Sequence, residues 1–402
     1  MIALFLGIMV YAQETVEISM GSGYADRVFF NLNDLQDQNF SGSNWDIAFY
    51  RMDNYVFATR VNDGKGISVY EASNDPDDWN SIDVSQAGSW SQLYNSDTDW
   101  LEGAFDQGSA TYGWGEYNPA THHVEGTIIF VLEYGDGTYR KFFIEDFYGG
   151  YTFKYSTWTG SAWSADSTVT LSNSTNTGNM FNYYSLETNS EVAAEPILDE
   201  WDLVFTKYVT DLGGGMMYSV TGVLHRPELV VAEHDETTGT PDLETLDYQE
   251  AANTIGYDWK SYSGSEYDVD SDTGYYIKFP NTMIYRVVFL EFEGSGTGNV
   301  EFEVTYMGQL DSQDFSESGG FSLYPNPASK KVDLVFDMPG AENNSVEINV
   351  FNVSGKNVLS TTLNNSGNFT HKTLDISDLS SGMYLVQINS GKNFITRKLV
   401  VK

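Results

Sequence analysis

The chain has 402 residues, 41% of them hydrophobic and 15% aromatic, with 27 Tyr, 24 Phe and a formal net charge of −37. That is too apolar for a disordered chain and long enough for two or three cores, and its acidity argues against bare nucleic acid or an anionic membrane as a partner. There is no cysteine, which excludes disulfides and thiolate chemistry.

In chain order, Ile2 to Tyr11 is an almost unbroken apolar run closed by Ala12. It reads as a secretory signal segment over residues 1–13, without a basic stretch before it, and is far too short to span a bilayer. Beyond it, short alternating apolar runs are punctuated by Gly, Asn, Asp and Ser, and no amphipathic helix exceeds two turns. This pattern predicts an all-β protein. The clearest strands are 45–50, 127–134, 139–147, 151–157, 201–208, 275–279, 285–292 and 299–306. Asp136-Gly137 is a hairpin turn, because both residues tolerate positive φ.

An internal repeat runs through these strands. Phe29-Phe30-Asn31-Leu32 leads to Trp45-Asp46-Ile47-Ala48-Phe49, and Tyr183-Tyr184-Ser185-Leu186 leads to Trp201-Asp202-Leu203-Val204-Phe205. Residues 139–147 then parallel 285–292, and 151–155 parallel 300–306. The expectation is two related antiparallel β domains, residues 20–175 and 176–308. Strand alternation places Trp45, Ile47 and Phe49 on one core face, and Trp201, Leu203 and Phe205 on another. Asp46 and Asp202 then read as structural acceptors for a backbone N–H or an Arg.

Asp268, Asp270 and Asp272 alternate so that their carboxylates can converge on a hard cation, making calcium a candidate ligand. Gly274 falls at the seventh position and Phe279 at the twelfth, so the loop is not an EF-hand. Residues 309–320 are polar and turn-rich and read as a linker. Residues 321–402 hold eight basic and six acidic residues, against 12 and 51 in the rest of the chain. They offer six or seven short alternating strands, with turns at Ser354-Gly355 and Ser381-Gly382 and with Leu379 as an end plug. This is an immunoglobulin-like β-sandwich in outline. No nucleophile elbow, zinc-protease motif or phosphate loop occurs, and a non-enzymatic protein is expected. The acidic residues are so many that carboxylate pairs for glycoside hydrolysis carry no weight.

Two resemblances add to this. Tyr324-Pro325-Asn326-Pro327, Val353-Ser354-Gly355-Lys356, Leu379-Ser380-Ser381-Gly382-Met383-Tyr384 and the basic last strand through Arg397-Lys398 to Lys402 closely resemble the type A C-terminal sorting domain of the type IX secretion system of Bacteroidota. The resemblance implies export to the outside of the cell, the secretion machinery as partner, and release or attachment to surface lipopolysaccharide. The Trp-Asp blocks, together with Gly137 to Phe143 and Gly150 to Tyr155, look like the HmuY-like haem-binding family, whose members hold haem between two His or two Met. That likeness makes His122, His123, Met216, Met217, His225 and His234 candidate haem ligands. Adjacent His122 and His123 would point to opposite strand faces, so only one could reach a given iron. A structural or adhesive surface protein without ligand and an exported carbohydrate-active hydrolase stay open as alternatives.

Overall fold

The computed structural model describes residues 13–173, 178–309, 321–337, 345–352, 356–364, 369–390 and 393–402. Residues 1–12 of the expected 1–13 signal segment, most of the 309–320 linker and the Ser354-Gly355 turn lie outside the described residues, and Gln13 opens a strand. Two compact units divide the chain, one ending at Gly308 and one beginning at Gln309. Among the described residues the structure is β strands with short 3-10 turns.

In the first unit, besides a two-stranded sheet of Lys260–Tyr262 and Tyr267–Val269, four antiparallel sheets are stacked. Sheet I runs in the order Gln13–Ser19, Asn299–Gln309, Met283–Phe292, Thr273–Lys278 and Val230–Asp235. Sheet II runs Met217–His225, Leu203–Asp211, Asp26–Asn31 and Gln36–Ser41. Sheet III runs Ser190–Val192, Phe181–Ser185, Ile47–Tyr50 and Thr59–Val61. Sheet IV runs Ser167–Ser172, Gly150–Thr157, Tyr139–Phe147, Ile129–Glu133, Ser68–Ser73 and Ser91–Leu93, with the hairpin Gly115–Asn118/His123–Gly126 attached.

Three cores glue the four layers. Phe30, Phe205, Phe289 and Phe302 belong to the core between sheets I and II. Phe49, Phe142, Tyr151 and Phe153 belong to the core between sheets III and IV. Phe29, Trp45, Tyr183 and Trp201 pack sheet II on sheet III. The two middle sheets are thus buried on both faces, which explains strands as apolar as Leu203–Phe205. Each such ring is worth roughly 1.5–3 kcal/mol when buried.

The expected boundary at 175/176 is not a boundary of this fold. Residues 47–192 make sheets III and IV, whereas sheets I and II combine 13–41 with 203–309. The two copies have exchanged their leading hairpins. Phe30 of the first copy pairs with Leu203 of the second, and Tyr184 of the second pairs with Ile47 of the first. Each Trp-Asp strand thus follows its own copy's hairpin in sequence and pairs with the hairpin of the other copy.

The faces also differ from simple alternation. Regular strand begins only at Ile47 and Leu203. A bend at Asp46 and Asp202 turns Trp45 and Trp201 into the middle core, away from Ile47, Phe49, Leu203 and Phe205. Trp45 meets Tyr183 edge-on at 4.8 Å, and Trp201 meets Phe29 edge-on at 5.1 Å. The Asp136-Gly137 turn forms as its chemistry demands, with Gly137 at φ 84° and the Asp136 carboxylate accepting the Thr138 N–H at 2.9 Å.

In the second unit, a sheet of Phe321–Tyr324, Lys331–Asp337 and Phe369–Asp375 shares one core with a sheet of Asn357–Asn364, Ser345–Asn352, Gly382–Ser390 and Asn393–Val401. Val346, Ile348, Val350, Val386 and Ile388 fill it, and Leu379 packs at its edge. This β-sandwich is what the alternation of the tail predicts. Asn326, between the two prolines, donates to the Lys398 carbonyl at 2.7 Å and accepts the Val400 N–H at 2.9 Å. Its amide thereby extends the pairing of the last strand.

Candidate functional site

A cleft in the first unit has a volume of about 810 Å³. Six chain segments build it. Strand 47–50 contributes its last residue, Tyr50, followed by Met52; Met180 and Leu198 flank the exchanged hairpin; the loop 98–101, the turn 227–230 and residues 250–251 complete it.

Buried polar contacts set each wall. Asn95 accepts the Val61 and Ala104 N–H groups and donates to the Val61 carbonyl, fixing one base of the 96–103 loop. Inside that loop, the Arg60 guanidinium donates to the carbonyls of Ser96, Asp99, Trp100 and Glu102 at 2.7–3.3 Å. Gly103 passes so close to Thr59 that a Cβ would stand 1.9 Å from its carbonyl oxygen. The loop then docks across the layers, as the Trp100 indole N–H donates to the His225 carbonyl at 2.8 Å and the Ala252 N–H to the Thr98 carbonyl at 2.8 Å. On the opposite wall Glu228 has φ 74°, a conformation that a residue with a Cβ seldom adopts.

Trp100, Met180 and Leu229 are the buried floor, and Asp99, Glu228 and Glu250 are exposed on the rim. No Lys, Arg or His lines the cleft among the described residues. The Tyr50 hydroxyl has its pKa raised, first by burial and then by the negative charges of Asp53 and Glu228. Chemically this is an apolar slot under a negative potential.

The sequence candidates fall elsewhere. His122 is exposed at φ 63° and shares a 2.6 Å hydrogen bond with the Tyr117 hydroxyl. His123 lies 2.7 Å from Asp146 and stacks on Tyr148 at 4.5 Å. His225 is buried, and its Nδ1 and Nε2 lie 2.9 and 2.8 Å from the carbonyls of Arg226 and Ala251. Burial pushes its pKa down, against the pull of those two carbonyls. It thus tethers the wall at Ala251. His234 Nε2 lies 2.8 Å from the Gly239 carbonyl. Met216 is exposed in a turn before the strand that begins at Met217. The contacts of the four histidines are thus to four separate sets of neighbours. Asp270 accepts from the Asp272 N–H and the Thr273 hydroxyl, while Asp268 and Asp272 are exposed. Among the described residues no three His, Asp or Glu side chains are grouped to hold a metal ion.

Sequence reasoning missed Tyr50, Met52, Met180 and Glu228. Their meeting depends on the hairpin exchange, for which no local pattern exists. It anticipated Asp46 and Asp202 as structural acceptors, and both are: each takes the N–H of a hairpin residue and a basic side chain.

Comparison with known proteins bears on the second unit. Residues 322–402 match the family model described as the secretion system C-terminal sorting domain. The chain ends in a secretion sorting domain. It is therefore a secreted or cell-surface protein, and no helix among its described residues is long and apolar enough to cross a membrane. Among solved structures, that of dimeric latent PorU from Porphyromonas gingivalis is similar at 10% identity over 92% of this chain and 36% of that chain, with a TM-score of 0.19. This chain thus spans little more than a third of that protein's length. No curated protein matches.

Proposed function

We propose that the chain is an exported, non-enzymatic binding protein whose first unit takes up an apolar small molecule in the 810 Å³ cleft. Type IX secretion machinery would read the sorting domain, and attachment to surface lipopolysaccharide or release would follow its removal. The cleft carries the reading: its volume is that of a small-molecule site, its floor is apolar, and its walls are fixed by buried hydrogen bonds before any ligand arrives. Haem enters through the HmuY-like resemblance. In this cleft the soft ligands facing a porphyrin would be the thioethers of Met52 and Met180.

The test is titration of the full chain with the neutral dye Nile red and, separately, with hemin. Saturable 1:1 dye binding that Leu101→Glu weakens at least tenfold supports the cleft. A Soret shift lost on Met52→Ala supports haem in it. Dye binding that is weak, unsaturable or indifferent to Leu101→Glu removes the reading.

One observation favours an adhesive role beside it. Tyr55, Tyr117 and Tyr148 are 89%, 44% and 63% exposed. Tyr148 and Tyr117 flank the His122–His123 hairpin, a surface suited to stacking on sugar rings. Binding to immobilised glycans that Tyr148→Ala abolishes, with dye binding intact, would assign that role to this surface.

A further inference from the structure

We infer that the cleft selects an alkylammonium ligand, its chain on the Trp100–Met180–Leu229 floor and its cationic head among Asp99, Glu228, Glu250 and the Tyr50 ring. This rests on the reading of the cleft as a ligand site and adds the chemistry of what it holds.

Four observations carry it. First, the three ionisable groups on the lining besides Tyr50 are all carboxylates, with no basic residue to neutralise them. Two of them, Glu228 and Glu250, come from different segments that the fold brings to one rim. Secondly, basic side chains next to lining residues are already engaged, beginning with Arg51, which lies between Tyr50 and Met52 and donates to the Asn182 side chain. Arg60 lies over Trp100 at 5.4 Å with four carbonyls around it. Arg226 is bound to Asp202 and Asp199. Neither is available to receive the carboxylate of an anionic ligand. Thirdly, Tyr50 offers an aromatic ring beside these negative charges, and a ring face attracts an ammonium group by its quadrupole. Burial raises the pKa of the Tyr50 hydroxyl, and the charges of Asp53 and Glu228 act in the same direction. Fourthly, the carboxylates are not grouped as a metal site, and the floor beneath them is apolar. A compact inorganic cation would leave that floor empty, whereas an alkyl chain with a cationic end satisfies both parts. The strained backbone of Glu228 fits a residue kept in place for its carboxylate, since a glycine would hold the turn more easily.

The probes are three molecules of equal chain length: octyltrimethylammonium, octanol and octanoate, each titrated calorimetrically into the full chain in physiological salt. Octyltrimethylammonium is expected to saturate one site at least tenfold more tightly than octanol, with octanoate weakest. Glu228→Gln/Glu250→Gln should bring the cation down to the affinity of octanol and leave octanol unchanged. Glu301→Gln/Glu303→Gln, carboxylates outside the cleft with the same change in net charge, should change nothing. Equal binding of the three probes, or an equal loss from the two double variants, overturns the inference while leaving an apolar site standing. Failure of octanol and Nile red together removes the site itself.

Discussion

Asp202 accepts the backbone N–H of Leu32 at 2.8 Å, although 170 residues separate them. Asp46 makes the same bond to Leu186, the matching residue of the other copy, at 2.6 Å. Each carboxylate also holds a cation, Arg226 at 3.2 Å or Lys65 at 2.8 Å. The pair of clamps fixes which hairpin belongs to which Trp-Asp strand.

Removing a clamp leaves a buried N–H and a buried cation without their acceptor. Asp202→Ala is expected to cost about 3 kcal/mol, with Asp202→Asn milder because it keeps an acceptor for Leu32. Urea unfolding followed by tryptophan fluorescence would measure both. A loss below about 0.5 kcal/mol for the alanine variant would show that the clamp is incidental.

The exchange makes a sharp prediction about fragments. Residues 43–195 contain all of sheets III and IV and are expected to fold alone with a cooperative thermal transition. Residues 196–309 lack three strands of sheets I and II and should not fold until a peptide of residues 13–41 is supplied. Near-ultraviolet circular dichroism reads both. A folded 196–309 fragment would contradict the pairing of Leu203 with Phe30.

Burial pushes the Glu195 carboxyl up to about 7, although the Phe181 N–H, the Tyr183 hydroxyl and Arg27 pull it down. Because the folded value lies above the unfolded one, the linked stability is complete below about pH 4.5 and is lost as pH rises through 7. Asp106, also raised to about 7 by burial, adds in the same direction. Glu195→Gln keeps an acceptor for Phe181 and carries no charge, so its stability relative to the parent should rise by on the order of 3 kcal/mol between pH 4 and pH 8. Melting temperatures across that range check it; parallel pH profiles would refute it.

In the sorting domain, Asn326→Ala removes both bonds to the last strand. A loss of about 1–2 kcal/mol in the stability of the isolated 309–402 segment is expected. Export of the full chain should fall with it, read as the ratio of external to cell-associated protein. Unchanged export with a destabilised domain would separate recognition from folding at this residue.

Much of this architecture is legible in the sequence. The apolar run of 139–147 gives a strand, the alternation of 346–350 gives strand and face, and Asp136-Gly137 gives its turn. Trp45 is not, because the bend at Asp46 breaks the period of two just where it is counted from. The exchange is invisible because a repeated pattern tells which segments are alike and leaves open which of two equivalent strands each will pair with. The cleft is hidden for the same reason, since Tyr50, Leu101, Met180, Glu228 and Glu250 meet only once that choice is made.

The insertion of 47–192 between two parts of one sandwich has a consequence for the order of folding. A chain emerging amino end first presents residues 13–41 long before Leu203 and Phe302 arrive to cover them. Sheets III and IV can condense meanwhile, but the sandwich made from the two ends closes last. Its closure finishes the first unit, so a chain that ends before Asn299 lacks the partner of Gln13–Ser19 and leaves that sheet edge unsealed.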